Sequence, residues 1–286
     1  MSVKQAIAST VKAIGLLPGI RQVLYHPTVR GTVQAWPGSH LLYGKGWDLL
    51  HPFDRANGTD TSGFVDSGEL PSSPFDSTRK HVYGGSQPSI IRAALATLPD
   101  LGTYTFVDLG CGKGRPLLVA SEFPFRDLVG VELSTPLAAV ANKNAAISHT
   151  KWPNRIPIRI ENGDAGTFPF PSGNLVVFLY NPFGEEVMNK VVAGIEAALA
   201  SEKRSVFVVY YNPVYGKCFD ACPALARYLA ATIPYADDEG GFGPDDEDPV
   251  VIWQSGSVAS PRPCADAVIE IVRPGFRTAL ASPRSY

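Results

Sequence analysis

The chain has 286 residues, 45% of them apolar and 18% charged, with a formal net charge of −2, enough for one large core or for a domain with an appendage. That balance gives no global basic field, so nucleic acid is not expected as a partner. Cys111, Cys218, Cys222 and Cys264 form no paired CxxC zinc pattern, no apolar run reaches membrane-spanning length, and the N-terminus has no signal-peptide core. A soluble cytoplasmic protein without a metal is expected.

In residues 1–17, Val3, Ile7, Val11, Ile14 and Leu17 fall at helical spacing, ended by Pro18. Lys4, Lys12, Arg21, Arg30 and Lys45 precede the first acid. This basic amphipathic start reads as a helix packed on its own domain, with a membrane surface or a partner as the alternative. Residues 31–80 are rich in Gly, Pro, Ser, Thr and Asp, so helix is hard to sustain there. Phe53, Phe64, Val65 and Leu70 argue for an ordered cover.

From Tyr83 the pattern becomes regular. A helix capped at Ser86 or Ser89 carries Ile90, Ile91, Ala94, Leu95 and Leu98. A buried strand through Phe106 and Val107 runs into Gly110, Gly112 and Gly114, and a helix over about 113–123 follows. Strands are expected at 128–132, 156–160, 175–180 and 205–211, and helices at about 135–148, 185–200 and 216–232. Two last strands, 250–253 and 267–272, have no helix between them. The order predicts an α/β fold: a Rossmann-like, seven-stranded, mostly parallel sheet with right-handed crossovers and an antiparallel last strand. Residues 1–75 would form the cover over the acceptor site and 76–286 the main domain.

Glycines at alternate positions after a strand let a ligand lie against the backbone, and Asp108 aims a carboxylate into the same space, as a nucleoside cofactor requires. A dinucleotide fingerprint needs GxGxxG, and its third glycine falls on Arg115. Asp108-Leu109-Gly110-Cys111-Gly112-Lys113-Gly114, with Glu132 ending the next strand, resembles the class I S-adenosylmethionine-dependent methyltransferases. The terminal strand pair, Asn162-Gly163-Asp164-Ala165 and Asn181-Pro182-Phe183 fall where that family has its later motifs. The likeness covers about residues 83–274.

The resemblance implies S-adenosyl-L-methionine as cofactor. Gly110, Gly112 and Gly114 would let the backbone approach it. Asp108 would hold its ammonium group and Glu132 both ribose hydroxyls. Asp164 would take the adenine amino group, with the Ala165 N–H on the ring. Phe53-Asp54, the run 58–63, Tyr83 and the run 180–183 look like a group of bacterial methyltransferases of undefined substrate, distantly similar to the non-SET histone-lysine methyltransferases. By that likeness Tyr83-Gly84-Gly85-Ser86-Gln87 is a lid whose Tyr83 and Gln87 close over the methionine end.

Asn181, Pro182 and Phe183 are the candidate catalytic residues. They resemble the (Asn/Asp)-Pro-Pro-(Tyr/Phe) motif of amino-methyltransferases but lack the second proline. An amide oxygen and the Pro182 carbonyl suit the N–H groups of an amine, Phe183 suits the charge that forms, and Asn181 would also touch the cofactor. The lean is toward a nitrogen of a small molecule or peptide. An O- or C-methyltransferase of a small metabolite, a dinucleotide oxidoreductase and a non-catalytic cofactor-binding module are the alternatives. Asn212-Pro213, with Tyr210, Tyr211 and Tyr215, would wall the acceptor pocket, and His81 is the histidine to test as a base. Ligands bind outside the carboxyl ends of such strands. The loops 180–184, 211–216 and 255–266 are expected on that side, and the acidic stretch 237–248 on the opposite side as a solvated loop.

Overall fold

The computed structural model describes residues 50–65, 83–240, 242, 247–256, 261–262, 264–273 and 276–280. The expected helix 1–17, the rest of the cover at 18–49 and 66–75, and His81 lie outside them.

Strands β1 (Phe64–Val65) and β2 (Tyr83–Gly84) pair antiparallel. The main sheet begins with β3 (Tyr104–Leu109), whose six residues are all buried, as expected of a parallel strand covered on both faces. Then come β4 (Asp127–Glu132), β5 (Ile158–Asn162), β6 (Asn174–Tyr180), β7 (Val206–Tyr211), β8 (Leu225–Pro234) and β9 (Glu247–Ser255). Their spatial order is β5-β4-β3-β6-β7-β9-β8. The neighbours from β5 to β7 are parallel, and β9 is antiparallel to both β7 and β8.

Residues 50–65 hold a helix, α1 (Pro52–Asn57), where their composition argued against one. It is short and fully punctuated: the His51 side chain caps it, Pro52 opens it, and Gly58 at φ 74° closes it. Helix α2 (Pro88–Leu95) has Gln87, not Ser86 or Ser89, at its N-cap position, without a side-chain cap bond, because Pro88 takes the first helical position. Helices α3 (Arg115–Ala120), α4 (Thr135–Lys151) and α5 (Glu185–Ser201) fall near their expected places. Ile90, Ile91 and Leu117 pack on one face of the sheet with Phe106 and Phe178; Met188, Val191 and Ile195 pack on the other with Val177 and Val208.

The sequence reading fails after β7. The expected helix 216–232 is a five-residue helix, α6 (Gly216–Asp220), followed by β8. Pro223 cannot continue a helix, and Tyr228, Leu229 and Ala230 are buried as an extended run beside β9. The expected strand 267–272 lies outside the main sheet: β10 (Ile269–Arg273) pairs only with β11 (Phe276–Leu280). Seven strands result, with β8 in place of 267–272.

This shift inverts two loops. Val250 of β9 lies opposite Tyr211 of β7, and Glu247 opposite Pro234 of β8. The described residues of the stretch 237–248 therefore sit at the carboxyl ends of the parallel strands, and β9 runs toward their amino ends. Nor is the acidic stretch simply solvated. Glu239 is 4% exposed, and its carboxylate accepts the Ser89 N–H (2.9 Å) and hydroxyl at the start of α2.

Candidate active site

The turn after β3 is built from three glycines at positive φ: Gly110 at 76°, Gly112 at 55° and Gly114 at 84°. At two of them close approach adds a second demand. A Cβ on Gly112 would lie 2.3 Å from Tyr83 Cε2, and one on Gly110 would lie 2.6 Å from Pro182 Cβ. The structure thus brings Tyr83, Gly110, Gly112, Pro182 and Phe183 into one cluster.

Two acids sit beneath this turn. Glu132, ending β4, accepts the Gly112 N–H (2.7 Å) and the Ser134 N–H (2.8 Å) on separate oxygens, so each keeps a lone pair. Burial raises its pKa, against the pull of those N–H groups. Asp108, ending β3, is 1% exposed and its Oδ2 has no hydrogen-bond partner. Burial, and then the charge of Glu132, push its pKa well above the usual carboxylate range. On the β5 side, Asp164 accepts the Gly166 N–H (2.8 Å) and Ala165 is buried. Asn162 and Gly163 donate to the Glu132 carbonyl at 2.7 and 3.0 Å, which ties this loop to the β4 loop.

At the end of β6, Asn181 adopts φ 42° although Pro182 follows it; at the end of β7, Asn212 adopts φ 57° before Pro213. A residue before proline prefers extended backbone, so each position stores strain. The two turns are in register: Tyr180 pairs with Tyr211, and their rings lie 4.3 Å apart. The Tyr210 hydroxyl donates to Asn181 Oδ1 (3.2 Å) and fixes the orientation of that amide.

Sequence reasoning missed the group that fastens residues 50–65 to this turn. Arg115, 2% exposed, donates to Thr61 Oγ1 (2.7 Å), the Thr61 carbonyl (2.9 Å) and the Ser86 carbonyl (2.9 Å). Its guanidinium also lies 3.5 Å from buried Asp54, whose carboxylate accepts the hydroxyls of Thr59, Thr61 and Ser62. Burial raises the Asp54 pKa, but Arg115 and those hydroxyls outweigh it and hold the carboxyl below its ordinary value. The Tyr83 hydroxyl donates to the Thr61 carbonyl (2.7 Å), and Lys113 reaches Asp60 (2.8 Å) and the Ser62 carbonyl (2.7 Å). The signal was present: Arg115 is a lone charge between a glycine turn and the apolar run Pro-Leu-Leu-Val-Ala.

Among the described residues, the buried side-chain atoms without a partner are Asp108 Oδ2, Gln87 Nε2 and Arg204 Nε. The first two flank the turn: Asp108 leads into it, and Gln87 follows Ser86, which Arg115 holds. One is an acceptor and the other a donor. That complementary pair, beside a backbone kept bare of Cβ atoms, fits an amino-acid moiety carrying both ammonium and carboxylate, and Glu132 fits a diol. No group of three His, Cys, Asp or Glu among the described residues is placed to hold a metal ion.

The methyltransferase domain family matches residues 107–200, from the end of β3 to the end of α5. The chain therefore carries an S-adenosylmethionine-dependent methyltransferase domain. Its cofactor is S-adenosyl-L-methionine. Among solved structures, the methyltransferase is similar to TrmN from Thermus thermophilus (18% identity over 59% of this chain and 49% of that one, TM-score 0.43). It is also similar to a TehB-like SAM-dependent methyltransferase from Corynebacterium glutamicum (18%, 60% of this chain and 90% of that one, TM-score 0.38). A ribosomal protein L11 methylase from Lactobacillus delbrueckii subsp. bulgaricus gives 13% identity over 60% and 82% of the two chains, TM-score 0.40. No curated protein matches the chain. No helix among the methyltransferase's described residues is long and apolar enough to cross a membrane.

Proposed function

We propose that this methyltransferase methylates a nitrogen of a small molecule or peptide, with Asp108, Glu132, Asp164, Ala165, Gln87, Tyr83 and the glycine turn holding the cofactor. When bound, the cofactor supplies an electrophilic methyl group on a sulfonium. The protein's task is to align an acceptor lone pair with that methyl and keep water out. Pro182 and Phe183, packed on Gly110, stand against the bare backbone where the cofactor would lie. Asn181 follows at the end of β6 and directs its amide by the bond from Tyr210. In this reading Asn181 Oδ1 and the Pro182 carbonyl accept N–H groups of the acceptor, and Phe183 faces the positive charge that develops. Residues 50–65, fastened by Arg115, form the described part of a cover from 1 to 75 over the domain 76–286.

The observation that carries the nitrogen reading is the strained Asn181-Pro182 turn, pinned by Tyr210 at the carboxyl end of β6. A neutral amine needs alignment and no base, whereas an alcohol needs a base within reach. His51, which caps α1, cannot take that part. Its Nδ1 accepts the Phe53 N–H, its Nε2 bonds Gln87, and its pKa is lowered to about 4.

The test is a product search by mass spectrometry with isotopically labelled S-adenosylmethionine and a matched panel of amines, peptides, phenols and carboxylic acids. The expected product carries the label on nitrogen, and Asn181→Ala lowers its rate by roughly a hundredfold, the scale of one oriented transition-state contact. Label found only on oxygen or carbon refutes the nitrogen reading.

A further inference from the structure

We propose that His51 is a positioning residue for the cofactor's carboxylate, acting through the Gln87 amide. The inference rests on the assignment of Gln87 to the cofactor site and adds a role for the α1 segment. The chemistry of three hydrogen-bonding groups fixes the arrangement. The Phe53 N–H can only donate, and it lies 3.0 Å from His51 Nδ1. Nδ1 is therefore unprotonated, and the ring proton is on Nε2. Nε2 lies 3.0 Å from the Gln87 side chain, which must present its oxygen. The Gln87 NH2 group is thereby turned to the other side, where it is buried and lacks a protein partner.

A buried NH2 without an acceptor costs free energy until a ligand supplies one. At the head of the same glycine turn, Asp108 Oδ2 is a buried oxygen without a protein partner. The amino-acid end of the cofactor brings both missing groups, an ammonium for Asp108 and a carboxylate for Gln87. Were the ring proton on Nδ1, Gln87 would flip and offer an oxygen to the carboxylate. His51 thus decides whether the site attracts or repels that group. The ring is held from both sides: α1 takes Nδ1, and Phe242, from the chain between β8 and β9, packs edge-on at 5.1 Å. Both elements that cover this end of the sheet set the donor.

Two ligands separate the arms of the test. S-adenosylhomocysteine carries the amino-acid end; 5′-methylthioadenosine keeps the nucleoside and sulfur and lacks it. Affinities are measured by calorimetry on the full chain. Gln87→Glu keeps the oxygen that His51 needs and removes the donor. It should weaken S-adenosylhomocysteine by roughly tenfold or more and leave methylthioadenosine unchanged. His51→Asn keeps an acceptor for the Phe53 N–H, and so the helix cap, but is too short to reach Gln87. It should weaken S-adenosylhomocysteine alone by roughly three- to tenfold, with no further loss when combined with Gln87→Ala. If His51→Asn leaves both affinities intact, or weakens both alike, His51 does not position Gln87. Equal affinity of the wild-type protein for the two ligands overturns the carboxylate anchor, and binding of neither overturns the assignment of the site itself.

Discussion

At Asp108 the proposed role in cofactor binding runs against stability. Its carboxyl is buried, close to Glu132, and lacks a partner for Oδ2, so its folded-state pKa lies above its unfolded value. For such an acid, folding is favoured while the group is protonated, and stability falls as pH rises above about 4, where the unfolded chain releases the proton more readily. Asp108→Asn removes that liability. The variant should unfold at a higher temperature than the wild type when no ligand is bound. It should also bind S-adenosylhomocysteine more weakly by about 1.5–3 kcal/mol, the scale of a hydrogen bond to a charged group. Thermal unfolding and calorimetry check the two halves, and a less stable ligand-free variant would contradict the argument. Asp108, the glycines and Glu132 were legible in the sequence, because each chemical need leaves its own letter at a fixed spacing. His51 was not, since its partner Gln87 lies 36 positions away along the chain, and Arg115 showed only as an out-of-place charge, since its partner Asp54 lies 61 positions away.

At the scale of elements, α1 makes the site sensitive to acid. Burial, then the charge of Arg115, lower the His51 pKa to about 4, against the Gln87 bond and the charges of Asp54 and Asp238. A histidine depressed in the folded state favours unfolding in acid, because the unfolded chain takes up the proton first. His51 by itself should therefore contribute a loss of about 3 kcal/mol between pH 6.5 and about 4, set against the opposite trend from Asp108 in the same range. Asp54 adds a second loss below about pH 4, where its lowered folded-state pKa no longer protects the carboxylate. Denaturant titrations at several pH values should resolve the upper window, and His51→Asn should remove it. A difference between the wild-type and His51→Asn profiles that stays flat from pH 7 to 5 would mean that the ring takes up its proton freely. The core strands β3, β6 and β7 could be read because a parallel strand covered on both faces is an apolar run with no other use. The region 216–232 was harder: Pro223 marked a helix end, but Phe219, Cys222, Leu229 and Ala230 fit a helical stripe and a covered strand equally well. Pairing with β9 decides the matter, and pairing is non-local.

For the whole molecule, the insertion of β9 between β7 and β8 has the largest effect. It brings the acidic stretch to the carboxyl ends of the strands, where Glu239 holds α2 and Phe242 holds His51. It also leaves β10 and β11 as a separate hairpin on the face that carries α5 and α6. That hairpin is no loose appendage. Leu280 is 3% exposed and fills the space that a Cβ on Gly216 would occupy, 2.4 Å from its Cδ2. Glu185, Tyr215, Lys217 and Leu280 line a cavity of about 170 Å³ beside it. If the hairpin belongs to the core, Leu280→Ala leaves a void among Trp253, Phe219 and Ile271 and should cost about 2–5 kcal/mol in denaturant unfolding. A change below about 0.5 kcal/mol, the range of surface substitutions, would make the hairpin a detachable flap. The proposed cofactor cluster is built at the carboxyl ends of β3 and β4 and fastened through Arg115 to residues of the α1 segment and the Ser86 carbonyl. Affinity for S-adenosylhomocysteine should therefore be unchanged in the same variant, which separates damage to the core from damage to the site.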